Sequence, residues 1–336
     1  MTDFREELNR TKVVATSELS TTPSAHNIPT PSQVDEAAFN AAVEFGRDLI
    51  TTQDLDPVYS AIHGAGLDYE TRARLLLTYS CLYHLGASVT IGQHEEADYW
   101  DALMVAAVND CLKWPRGSER RHWRGQQAIQ TVQYLRDKYK HPEDVVNHWA
   151  NGGDNSFTAV TKRVQEIPIF GPWIGFKACD MLERVMGNTV DFSTCTFGVY
   201  KEPRAAAALI LTGDAEANIA DSDLEGVMKK MMRPEYLGSL KAPPDFSRVV
   251  NVQEIETCLC KFKSHVNGHY PPGKDTLEVL HGLKESRWQN PITRRMVQVL
   301  EALPYARSTP PVAGKRKPPS SDFSDGAIYK KQGAHQ

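Results

Sequence analysis

Residues 165–185 read QEIPIFGPWIGFKACDMLERV, and the fold is decided by how this stretch is read. Lys162, Arg163 and Gln165 precede an Ile-Pro-Ile-Phe-Gly-Pro turn. Pro168 stops the helix before it, because proline donates no N–H and disfavours a helical residue on its N-terminal side. Gly171 is free to take a positive φ, and Pro172 suits the first turn of a following helix. Ile174, Ala178, Met181, Leu182 and Val185 then recur at helical spacing. The stretch reads as helix, tight turn, helix, with a glycine-led N-terminus whose unpaired N–H groups can hold a phosphate. On these residues alone, an αα-hairpin inside an ordinary helical core fits equally well.

Working outward, the helical period continues almost everywhere from Val34 onward. Ala38, Ala41, Ala42, Phe45 and Leu49 make one amphipathic stripe. Arg72–Leu85 is a strongly apolar helix suited to the centre of the fold, with further helices expected over Tyr99–Leu112 and Ile129–Tyr139. No segment alternates with period two, so no sheet is expected. The fold class is mainly α, with two helical lobes around a cleft as the expected arrangement. Residues 34–306 form the helical region. Residues 1–33, rich in Ser, Thr and Pro, read as a flexible lead-in, and 307–336 as a disordered tail with a Lys-Arg-Lys cluster.

The 336 residues are 41% apolar and 24% charged, the composition of a soluble globular protein. A formal net charge of −4 gives no overall nucleic-acid signature, so any DNA contact must come from local basic clusters. No apolar run approaches the ~20 residues that span a bilayer, and no secretory leader is evident. The six scattered cysteines point to reduced thiols in a cytoplasm, with no membrane partner and no iron–sulfur spacing.

Two clusters carry chemistry. Trp114–Gly125, WPRGSERRHWRG, interleaves Arg116, Arg120, Arg121 and Arg124 with Trp114, His122 and Trp123. Guanidinium groups match phosphate geometry and indoles stack on bases, although such a loop also serves as a solvated connection with its tryptophans in the core. Cys258–Asp275, CLCKFKSHVNGHYPPGKD, gathers Lys261, Lys263, His265, His269 and Lys274 around glycines and prolines that break it into a basic loop. Zinc on Cys258, Cys260, His265 and His269 is disfavoured by the tight Cys-x-Cys spacing, so no metal is assigned. A solvated basic loop and a polyphosphate site are the other two readings.

The IPIFGPWIG segment resembles the helix-hairpin-helix of the DNA glycosylase superfamily. Asp191, twenty positions after Gly171 in Thr-Val-Asp, matches the placement of that superfamily's aspartate. Ile169 departs from the first hairpin glycine, and Trp173 stands where bifunctional members carry a Schiff-base lysine, which argues against a lyase. Together, FGPWIGFK, the VDF step and CKFKSHVNGHYPPGKD resemble the phage alpha-glutamyl/putrescinyl-thymine pyrophosphorylases, or amino acid:DNA transferases, over roughly residues 35–305. The resemblance implies a glycosylase-like helical fold. It also implies an enzyme that replaces the pyrophosphate of 5-(pyrophosphoryloxymethyl)uracil in DNA with an amine such as putrescine, glycine or glutamate. A 5-hydroxymethyluracil DNA kinase is an implied partner. No cofactor is expected beyond that amine, with a hairpin-bound monovalent cation left open.

The residues suit this chemistry. Lys261, Lys263 and Lys274 can hold a departing pyrophosphate. An alkylamine of pKa near 10 is free base in only about one part in a thousand at neutral pH, so a group must take its proton. Asp191, His265 and His269 are the catalytic candidates, Asp191 or His265 for that proton. Gly171, Pro172, Trp173, Lys177, Arg120, Arg121 and Arg124 are the DNA-binding candidates, acting on a flipped base. A monofunctional base-excision glycosylase and a non-catalytic DNA-binding protein are the competing readings. A plain surface pair for Lys177 and Asp180, and a helix cap for Asp191, are the simpler roles.

Overall fold

Amphipathic helices with well-placed caps build the frame of the molecule. The computed structural model describes residues 35–109, 113–195 and 200–307. Apart from Arg307, the flanking segments 1–33 and 307–336 lie outside the described residues, as does Cys111. The chain is mainly α: within the described residues the only β pairing is two isolated bridges, Ser156 with Asp191 and Lys241 with Val249. No described helix is long and apolar enough to cross a membrane.

Helix α1 (Glu36–Thr52) is capped by Asp35, whose carboxylate accepts the N–H groups of Ala37 and Ala38, and it buries Phe39, Ala42, Phe45 and Leu49. Helix α2 (Pro57–Gly64) follows after a four-residue turn. The central apolar helix is α3 (Tyr69–Leu82), in which every residue from Ala73 to Leu82 is buried. It stops three residues before the expected Leu85, because Tyr83 turns left-handed (φ 51°), and α4 (Leu85–Gly92) starts afresh. Helices α5 (Glu96–Val108), α6 (Gly125–Lys138) and α7 (Pro142–Ala150) lead to the pair singled out in the sequence.

That pair is α8 (Phe157–Val164) and α9 (Pro172–Arg184). They approach closely because position 175 is glycine: a Cβ there would lie 2.5 Å from Thr161 Cγ2. The turn differs from expectation in one respect. Gly171 is extended (φ −91°, ψ −176°) and serves as the N-cap, while the left-handed position is Ile169 (φ 59°). Ile169 stands where a glycine was missed, and it adopts the conformation that glycine would have supplied.

Beyond the pair come α10 (Lys201–Thr212), α11 (Asp221–Met231), α12 (Val252–Val266), α13 (Lys274–Leu283) and α14 (Pro291–Ala302). Cys258–Asp275 is therefore not one loop. A reciprocal cap between Asn251 and Glu254 starts α12, Ile255, Leu259 and Phe262 carry its buried face, and the helix ends at Val266. Only 267–273 is loop. Helix α9 packs on α3 and α8, α12 packs on α1, α10 and α11, and α13 packs on α2, α4 and α14. These three groups meet around one cleft.

Candidate functional site

The cleft encloses about 930 Å³. One side is made by the 117–122 loop and the 169–173 turn; the other by α12 and α13, with the starts of α2 and α10 and the end of α3 completing it. Position 117 must be glycine: its N–H donates to Leu82 O at 2.9 Å, and a Cβ would lie 2.6 Å from Tyr83 O. Tyr83 in turn sets its ring edge-on to Trp173, 4.9 Å between centroids. Both Tyr83 and Ile169 line the cleft with left-handed backbones, each at a steric cost of roughly 1–2 kcal/mol. Two such residues facing one cavity make it the candidate functional site.

The floor is a charged network built from one face of α9. Lys177, Asp180 and Arg184 stack at spacings of three and four. Arg184 pairs with Asp56 at 2.6 Å and Asp180 at 3.3 Å, and donates to Pro243 O at 3.0 Å. Tyr59 donates to Asp180 at 3.0 Å, and Lys177 Nζ lies 3.8 Å from the same carboxylate. Burial alone would raise the Asp56 carboxyl, but Arg184, Lys177 and Lys261 outweigh it and hold it low. Burial likewise works against the charge on Lys177, yet Asp56, Glu256 and Asp180 hold that ammonium above its ordinary range. Glu256 is only 2% exposed, and burial lifts its carboxyl above the usual range while Lys177 draws it back. The result is a largely buried network in which ammonium, guanidinium and carboxylate groups stand side by side, suited to handling charge in a reaction.

The structure brings some of the expected residues to this cleft and leaves others away from it. Gly171, Pro172, Trp173, Lys177, Arg120 and Lys261 line it. Lys261 donates to Asp54 O at 3.1 Å and to Leu55 O, and pairs with Asp275 at 2.8 Å. Arg120 is buried, with Nε donating to Cys81 O and Nη1 to Ile169 O, both at 3.3 Å, so it ties the basic loop to the α9 turn. Burial lowers its pKa to about 10. Arg121 and Arg124 are exposed outside the cleft lining, Arg121 donating to Ser118 O at 2.9 Å.

Lys263, His265, His269, Lys274 and Asp191 do not line the cleft. Lys263 pairs with Glu216 at 2.8 Å. His265 stacks on Phe45 at 4.2 Å and hydrogen-bonds to Tyr270 O at 2.9 Å. Lys274 donates to His269 O at 3.4 Å. The 267–273 turn is fastened by the buried Asp54, which accepts from Gly273 N at 2.8 Å, Thr276 N at 2.8 Å and Thr276 Oγ1 at 2.7 Å. Asp191 caps the short turn Phe192–Thr194, accepting from Ser193 N and Ser193 Oγ at 2.9 Å each, and these bonds hold its carboxyl low. Asp191 is thus seen in the simpler capping role.

Three charged residues of the cleft and its floor escaped the sequence reading: Asp56, Arg184 and Glu256. Glu256 had one visible signal. It follows Ile255 in a helix whose apolar positions surround it, and a carboxylate at such a place is buried only for a reason. Asp56 and Arg184 gave none, since 128 positions separate them in the chain.

With the site in place, its kinship can be stated. Residues 50–270 match the amino acid:DNA transferase family. A glycinyltransferase of Pseudomonas phage PaMx11 is 40% identical over 256 residues, covering 70% of this chain and 87% of the relative. A putrescinyltransferase of Delftia phage PhiW-14 is 30% identical over 233 residues, covering 68% of this chain and 73% of the relative.

Proposed function

The chain belongs to the amino acid:DNA transferase family, and we propose that its cleft joins an amine to a modified thymine in DNA. The observation that carries this reading is where the family match falls. Residues 50–270 include the α9 turn, the basic loop and the Lys177, Glu256 and Lys261 wall, which supports placing the shared chemistry in the cleft, with Asp275, Glu278 and Val279 just beyond the matched range.

The substrate in this proposal is DNA carrying 5-(pyrophosphoryloxymethyl)uracil, made by an enzyme that phosphorylates 5-hydroxymethyluracil in DNA. The amine nitrogen bonds to the exocyclic methylene carbon, and the carbon–oxygen bond breaks with its electron pair leaving on pyrophosphate. Arg120, Lys177 and Lys261 are the lining cations for that developing charge. Lys263 and Lys274 have no part in it, because they lie outside the cleft. The target nucleotide is flipped, since a cleft floor this enclosed admits a base but not a duplex. The N–H groups of Gly171 and Trp173, together with exposed Arg121 and Arg124, hold the backbone, and a glycosylase-like use of the α8–α9 pair belongs to the same proposal. Glycine is the first amine to try, on the strength of the 40% identical relative, and putrescine the second.

The test is duplex DNA with the pyrophosphorylated base, incubated with the protein and glycine, putrescine, glutamate or lysine, then digested and read as nucleosides by mass spectrometry. An amine adduct with released pyrophosphate is the expected result and names the donor. An abasic site with free base would make the protein a glycosylase instead.

A further inference from the structure

We propose that Glu256 accepts the proton of the incoming amine, and that the carboxylate-rich wall around it is where the amine sits. This rests on the transferase reading above. Glu256 is buried yet lines the cleft, and it forms no ion pair within 4.0 Å among the described residues. Its oxygens receive only the Thr257 hydroxyl at 3.3 Å and the Cys260 thiol at 3.5 Å, both weak donors by distance or by element. Carboxylate lone pairs therefore remain for a ligand, on a group already shielded from water.

The charges that face Glu256 come from several elements. They are Lys177 and Asp180 of α9, Asp56 ahead of α2, and Cys260 of its own helix, with Tyr200 and Cys195 from the segment before α10. Around them the cleft adds Glu202, Asp275 and Glu278 against Lys261. Asp56 is occupied by Arg184, and Asp275 by Lys261. Glu256 is the buried lining carboxylate without such a partner. The wall attracts an ammonium ion, and its free carboxylate is placed to deprotonate one.

An alkylammonium gives one proton to the Glu256 carboxylate and becomes the neutral amine. That amine forms the carbon–nitrogen bond as pyrophosphate departs with the carbon–oxygen electron pair. Glu256 then returns the proton to water. Its carboxyl, lifted by burial, is a better match to an amine than an ordinary surface carboxylate, because proton transfer is helped when the two pKa values approach.

The experiment compares the full-length protein with Glu256→Gln in single-turnover transfer. Glutamine keeps the shape of the side chain, and circular dichroism and retention of duplex DNA establish that the variant is folded and binds. With glycine or putrescine at pH 7, the variant should be slower by about a hundredfold or more. Its rate should climb close to tenfold per pH unit as the free amine accumulates, so that the deficit shrinks at high pH. A weakly basic amine such as trifluoroethylamine, already neutral at pH 7, should be transferred at nearly the same rate by both proteins. A merely structural role would slow both amines alike, and that result overturns the assignment, as would an unchanged rate with glycine and putrescine. A wild-type protein that makes no adduct with any amine overturns the transferase reading itself, and this assignment with it.

Discussion

Glu183 shows how much a single side chain can commit the protein to a pH range. Burial, with Glu254 adding to it and Arg248 opposing it at 3.0 Å, pushes its carboxyl up to about 7. The unfolded chain releases that proton near the ordinary value of 4.5, whereas the folded chain holds it until about 7. Between those values the unfolded state binds fewer protons, so the stability from this group falls as pH rises through the window and is flat above it. The whole change is about 3 kcal/mol. Glu183→Gln stays neutral, and Arg248 keeps both oxygens of Glu254, at 2.9 and 3.0 Å. Urea unfolding from pH 4.5 to 8 should therefore show the variant gaining on the wild type up to pH 7 and holding its lead beyond. Parallel curves would mean that Glu183 is ionised in the fold throughout. The residue scale is also where sequence reading lost most. The left-handed turn position was sought at Gly171 and lies at Ile169, because packing of the α8–α9 pair, not local preference, fixes that backbone.

At the scale of elements, α9 was legible and its charges were not. The proline at its start, the turn before it and its apolar stripe are local signals, and the helix runs Pro172–Arg184 as those signals require. The same is true of α1, α3 and most of the frame. For Lys177 and Asp180 a surface pair and a site role fitted the sequence equally well, because solvent is the usual neighbour of such residues, but α12 and the 53–56 turn cover them. The loop expected across Cys258–Asp275 failed for the converse reason. Its glycines and prolines all lie after Val266, while the half before it is ordinary amphipathic helix. Burial gives α9 a testable property. Arg184→Met leaves Asp180 and Asp56 without their main countercharge, and breaking a buried pair from one side costs about 3–5 kcal/mol. Adding Asp180→Asn should recover part of that loss, since the second change removes a stranded charge. Urea midpoints of the single and double variants check this, and a double variant no more stable than Arg184→Met would show that the arginine acts through packing alone.

For the molecule as a whole, the distribution of charge matters more than its sum. A chain of net charge −4 has little general attraction for DNA, and of the arginines in the 114–125 cluster, Arg120 is buried against Cys81 O and Ile169 O. In the proposed function, phosphate contacts are then left to the N–H groups of the α9 turn and to exposed residues such as Arg121 and Arg124. Affinity for unmodified duplex should be weak, and its dependence on salt shallow. With about three or four neutralised phosphates, log K should fall with log salt at a slope of about −3 to −4. Arg121→Ala and Arg124→Ala should each reduce the slope by about one without changing which base is modified. Arg120→Ala should behave differently, lowering the unfolding midpoint because it unfastens the basic loop from the turn, while an Arg120 that reached phosphate would lower the slope instead. Fluorescence anisotropy across a salt series separates these cases. A slope near −8 would require a broad basic surface, and selectivity would then rest on electrostatic capture of DNA; a slope near −3 would place selectivity in the cleft lined by Lys177, Lys261 and Glu256.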